Sequence, residues 1–203
     1  MNDEDWIEGI DEPLSEHSSR EGKRSKAVML ASITVLLMGL GLVAILVTRP
    51  QAANVEAASP LINKIAPEIK GNSITDDSPV DLYALRGKFV IINFFASWCG
   101  PCQIEEPDLI QFGYEHKNLG DVAIIGVAFD DTTTNARNFL KSTGSTWNAI
   151  NDSNGQIATT YGVSEPPETF VIDPNGVVLY KFVGIVTLSG LNSIVPEAQN
   201  GNG

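Results

Sequence analysis

One stretch limits the fold more than any other: Lys88-Phe89-Val90-Ile91-Ile92-Asn93-Phe94-Phe95-Ala96, nearly continuously apolar and aromatic, runs into Trp98-Cys99-Gly100-Pro101-Cys102. A strand that is apolar on both faces belongs inside a sheet covered on both sides. Pro101 is at home in the first turn of a helix, where its missing N–H would have been unpaired anyway. The strand therefore hands over to a helix at the cysteines. Downstream the pattern predicts a helix over 101–117, a strand over 122–129, a helix over 133–142 and a short helix over 155–161. Strands over 169–172 and 177–183 and a last helix from Leu188 follow. The turn Asp173-Pro174-Asn175-Gly176 joins those two strands as a hairpin. The alternation predicts an α/β fold with a central mixed sheet flanked by helices.

The 203 residues are 43% hydrophobic and 19% charged, which suits one catalytic-sized domain with attachments. Lys and Arg number 13 against 25 Asp and Glu, a net charge of −12 that repels a phosphate backbone, so no nucleic-acid partner is expected.

The attachments lie at the N-terminus. Residues 27–48 carry no charge and, at about 1.5 Å per residue, reach roughly 33 Å as a helix, enough to cross a bilayer core. A cleaved secretory signal competes with this reading, because Ala52, Ala53, Ala57 and Ala58 follow, but its apolar part would be only about 7 to 15 residues long. An uncleaved transmembrane anchor is expected. Arg20, Lys23, Arg24 and Lys26 crowd its N-terminal flank, whereas Arg49 stands alone on the other. Residues 1–26 are then a cytoplasmic tail, acidic and disordered, and the rest of the chain is extracytoplasmic. Residues 49–66 read as a tether spanning roughly 20 to 25 Å, holding a domain over 67–203 near the membrane. A partner in the same membrane is plausible on these grounds.

Cys99 and Cys102 are the only cysteines, and with only His17 and His116 beside them they leave no four-ligand zinc site; no metal is expected. At a helix N-terminus the macrodipole and free N–H groups favour a Cys99 thiolate, lowering its pKa below the roughly 8.5 of free cysteine. Cys102, one turn further, faces the helix body. The spacing suits reversible exchange, in which one thiol attacks and the other resolves the mixed disulfide. A structural disulfide, half a metal site and chance are the alternatives. The first would remove little chain entropy because its loop is so short, and the second lacks ligands.

From Asn93-Phe94-Phe95-Ala96-Ser97-Trp98-Cys99-Gly100-Pro101-Cys102, through Glu105, Pro107 and Gly126-Val127, to Pro167-Glu168-Thr169-Phe170-Val171-Ile172-Asp173, the chain resembles the membrane-anchored thioredoxin-like thiol-disulfide oxidoreductases of the DsbE/CcmG (TlpA/ResA-like) type. The resemblance implies a thioredoxin-like fold behind one N-terminal transmembrane helix. It implies a redox-active Cys99–Cys102 disulfide, with Cys99 attacking and Cys102 resolving. Pro167 matches the family's cis-proline beside that disulfide. Pro166 before it has no N–H to offer a substrate chain, only its carbonyl. Asn93 stands where thioredoxins carry a buried aspartate, and Glu105 matches the acidic residue that this subfamily places near the cysteines, suited when buried to exchange protons with Cys102.

Four further placements are expected. Trp98 packs beside the disulfide as a shield, Glu106 serves the helix dipole from the surface, Asp130 and Asp131 cap the helix that follows, with an acidic surface loop as the alternative, and His116 is solvated. The function implied is reduction of disulfides in exported proteins, foremost apocytochrome c during its maturation. Electrons would come from a membrane thiol reductase, and no heme, flavin or other cofactor is implied. An oxidant or general exchanger is the alternative within the class, and a copper-delivery module the alternative outside it. The copper module would want a wider cysteine spacing and a distant histidine. A peroxidase of related fold would want threonine where Ala96 stands.

Overall fold

The structure is a computed structural model and describes residues 21–47, 55–56 and 59–195. The chain forms two compact units divided after Pro50. In the first, α1 (Glu21–Val47) takes in the last six residues of the expected tail, so 21–26 are helical and not part of a disordered arm. Extending an existing helix costs little, since each added residue brings its own hydrogen bond. The remainder of the expected tail lies outside the described residues. Side chains of α1 are described continuously over 28–44, and their large apolar members, from Val28 to Val43, are exposed. That stretch is about 26 Å long against a bilayer core of about 30 Å. Among the described residues no helix is long and apolar enough to cross a membrane.

The second unit is built on a six-stranded mixed sheet. Its strands are β1 (Val55–Glu56), β4 (Phe89–Phe95), β5 (Val122–Phe129), β6 (Asn148–Asp152), β7 (Glu168–Ile172) and β8 (Val178–Val183), in the spatial order β1-β8-β7-β4-β5-β6. A small hairpin of β2 (Lys70–Asn72) and β3 (Pro79–Asp81) stands apart from it. Helices α2 (Gly100–His116), α3 (Thr133–Thr143), α4 (Gln156–Tyr161) and α5 (Leu188–Ile194) complete the unit. Strand β4 lies in the middle, parallel to β5 and antiparallel to β7. Val90, Ile92 and Phe94 pack on one face with Phe170 and Tyr161, while Ile91 packs on the other with Leu109 and Phe112 of α2 and Leu191 of α5. The continuous apolar run follows from this double burial.

The hairpin at Asp173 closes through Gly176 N–H to Asp173 O (2.8 Å). Gly176 has a φ of 79°, which calls for glycine, and the absence of a Cβ leaves room for the Arg86 guanidinium. Residues 59–66, expected in the tether, belong to this unit instead. Leu61 and Ile62 pack on the core, Ala66 is buried and the Ile65 backbone bridges to Val177, because a bare spacer would leave the first three side chains in water. The sequence reading also passed over β6, whose five residues hold only two apolar side chains.

Candidate active site

Strand β4 delivers the chain to Cys99, which occupies the N-cap of α2. Its Sγ accepts the Cys102 N–H (3.1 Å), the bond that an N-cap side chain makes to satisfy a free donor of the first turn. Cys99 and Cys102 are joined in a disulfide, and both are buried. Facing them across the sheet top, the Pro166–Pro167 peptide is cis, and Cys99 Sγ lies 3.5 Å from the Pro166 carbonyl oxygen. In the reduced state that oxygen stands ready to accept a hydrogen bond from a thiol.

Beneath the disulfide lies a buried polar network. Glu105, 1% exposed, accepts Asn93 Nδ2–H at Oε1 (2.7 Å) and the Val186 N–H at Oε2 (2.9 Å). The same Asn93 amide donates to Thr169 Oγ1 (3.1 Å), its direct partner in the β4–β7 register. Burial pushes Glu105 up to about 8, over the opposing effect of its two N–H donors, and the neighbouring Glu106 carboxylate pushes the same way. Thr169 and the Val186 N–H were not singled out in the sequence, because strand register and the loop before α5 bring them here.

Four expectations are corrected. Glu106 is buried rather than on the surface; its carboxylate takes hydroxyls from Ser145 and Thr143 at the end of α3, and its pKa is also raised by burial. His116 is 2% exposed, with Nδ1 3.0 Å from Asp121 Oδ1, rather than solvated. Trp98 is 55% exposed, its Nε1–H donating to the Asp130 carbonyl (3.0 Å), so it flanks the dithiol without covering it. Asp131 does not cap α3. Its Oδ2 accepts the Ser97 N–H (2.7 Å), which ties the turn before Cys99 to the end of β5, and Thr132 is the cap. His116 is also fourteen residues along α2 from Cys102, about 21 Å of helix. That distance disfavours a shared copper site.

A buried cysteine pair with two residues between them, at a helix N-terminus and facing a cis-proline on a thioredoxin-like α/β sheet, defines a thiol-disulfide oxidoreductase. Known proteins agree. The model of the AhpC/TSA family matches residues 62–181. The ResA thiol-disulfide oxidoreductase of Oceanobacillus iheyensis is 29% identical over 187 residues, covering 89% of this chain and 95% of that protein. The thiol:disulfide interchange protein HelX of Rhodobacter capsulatus is 34% identical, over 63% of this chain and 70% of its own. A crystal structure of a DsbE thiol:disulfide interchange protein from Chlorobium tepidum superposes with a TM-score of 0.60 at 30% identity, covering 66% of this chain and 94% of that one. The chain belongs to the AhpC/TSA family, among its thioredoxin-like thiol-disulfide oxidoreductases of the ResA and DsbE type.

Proposed function

We propose that this oxidoreductase works as a reductant outside the cytoplasmic membrane, anchored through 27–48, and reduces disulfides in exported proteins, with apocytochrome c as its substrate. The observation that carries the reading is the placement of Cys99 at the N-cap of α2 with its sulfur against the Pro166 carbonyl. The helix N-terminus and the Cys102 N–H stabilise a Cys99 thiolate. That thiolate attacks one sulfur of the substrate disulfide, forming a mixed disulfide, and the displaced substrate thiolate takes up a proton. Glu105 in its ionised form receives the Cys102 proton, the Cys102 thiolate attacks Cys99 Sγ and breaks the mixed disulfide, and the second substrate thiolate leaves with the proton that Glu105 gives back. Two electrons have passed to the substrate and the Cys99–Cys102 disulfide has formed. A membrane thiol reductase restores the dithiol by the same exchange in reverse. Pro166 and Trp98 border the path of the substrate chain, with Pro166 offering only its carbonyl.

The anchor is supported by the exposed apolar surface of α1 and by its polar residues, which satisfy themselves within the helix. Ser32 donates to Val28 O (2.9 Å) and Thr34 to Ala31 O (2.8 Å), as a lipid surrounding requires.

The reduction potential of the Cys99/Cys102 pair tests the direction of transfer. A value near or below about −220 mV supports a reductant, whereas one near about −120 mV makes the protein an oxidant and removes the cytochrome reading. A Cys102→Ser variant is expected to trap a disulfide-bearing apocytochrome c peptide on Cys99, and failure to trap it overturns that substrate.

A further inference from the structure

Glu168 and Lys181 form an ion pair that the exchange steps leave unused. Glu168 opens β7 directly after the cis-proline, and Lys181 lies on β8 opposite Phe170. Residues 168 and 170 share a face of the pleat, so the lysine reaches Glu168 diagonally across it. Its Nζ lies 2.5 Å from Glu168 Oε2 and 5.2 Å from the centre of the Phe170 ring, and it donates to the Gly162 carbonyl (3.0 Å). Glu168 Oε1 accepts the Ser164 N–H (3.1 Å). The two side chains are only 3% and 9% exposed.

Outside the sheet the pair holds Gly162 and Ser164, at the start of the segment 162–167 whose Pro166 carbonyl faces Cys99. A buried ion pair is a poor way to gain stability, since an apolar pair of the same volume commonly does as well or better. It is a good way to fix a loop, because charge-assisted hydrogen bonds are short and directional. We propose that Glu168 and Lys181 are positioning residues, a clamp that holds the segment 162–167 in register with the dithiol and so sets how tightly the protein grips the chain of its substrate. The inference rests on the reading that the substrate chain runs past Pro166.

The test uses the full chain and a peptide closed by a Cys-x-x-Cys disulfide. The double variant Glu168→Met with Lys181→Met removes both charges at similar volume, avoiding the lone buried charge that a single change leaves and that can prevent folding. Its KM is expected to rise about tenfold, with kcat and the rate of Cys99 alkylation by iodoacetamide within about twofold of the parent. Glu168→Gln moves KM in the same direction. A folded double variant with unchanged KM overturns the clamp, and so does a loss of alkylation that matches the loss of turnover, because the pair would then act on the thiol. If the parent protein reduces no peptide disulfide, the reductant reading fails by itself. The clamp is then read from KM for the dithiol peptide oxidised by the disulfide form, with the same rise expected.

Discussion

Glu105 in the folded protein holds a proton that the unfolded chain gives up. Its carboxyl titrates near 8 against 4.5 for an unperturbed glutamate. Below the lower value both states are protonated and the group is neutral in its effect. As pH rises between the two, only the folded state retains the proton, so stability falls through that window and levels off above it. The loss is on the order of a few kcal/mol. The Tm of the oxidised protein is therefore expected to drop from pH 5 to pH 8 by more than that of Glu105→Gln; parallel curves would refute the assignment. Pro166→Ala restores an N–H next to the carbonyl at Cys99. It is expected to lower KM for a disulfide peptide a few-fold, since one hydrogen bond contributes about 0.5 to 1.5 kcal/mol. An unchanged KM would mean that the substrate chain does not pair there. Glu105 was legible because it lies one helical turn from Cys102. The burial of Glu106 was not, since its partners Thr143 and Ser145 sit 37 and 39 residues away in sequence.

At the level of elements, the strands that position the site are those whose sequence announces them. The runs in β4 and β5 and the bounds of α3 fall within a residue or two of expectation, although Thr132 rather than Asp130 or Asp131 caps that helix. Strand β6 escaped because pairing makes it a strand, not its own composition. It adds to β5 in parallel, and the Ala149 carbonyl takes the Ile74 N–H (2.7 Å). The β5–β6 pairing also explains Gly126, which sits between Asn93 on β4 and Ala149 on β6. A Cβ there would stand 3.0 Å from both Ala149 Cβ and Phe95 Cε1. Gly126→Ala is expected to destabilise the protein by about 1 to 3 kcal/mol through overpacking. Thermal unfolding measures this, and an unchanged Tm would show that the strands yield without cost.

For the whole molecule, the proposed anchor makes a separate prediction. The full chain is expected to sediment with membranes and to resist alkaline carbonate, whereas a chain lacking 1–48 is released with its thiol-disulfide exchange intact. Recovery of the full chain in the supernatant would remove the anchor. The order of apolar runs made the division between an N-terminal apolar helix and an α/β domain legible in outline. The boundary of the domain was not, because Leu61, Ile62 and Ala66 are too few to show a period and find their place only against the finished core. The same stitching has a further result. The outermost strands of the sheet are β1, only two residues long, and β6, whose Ala149 carbonyl is taken by the amide of Ile74. Open sheet edges recruit other extended chains. With one rim two residues long and the other partly occupied, this sheet offers an extended chain little ladder to zip onto.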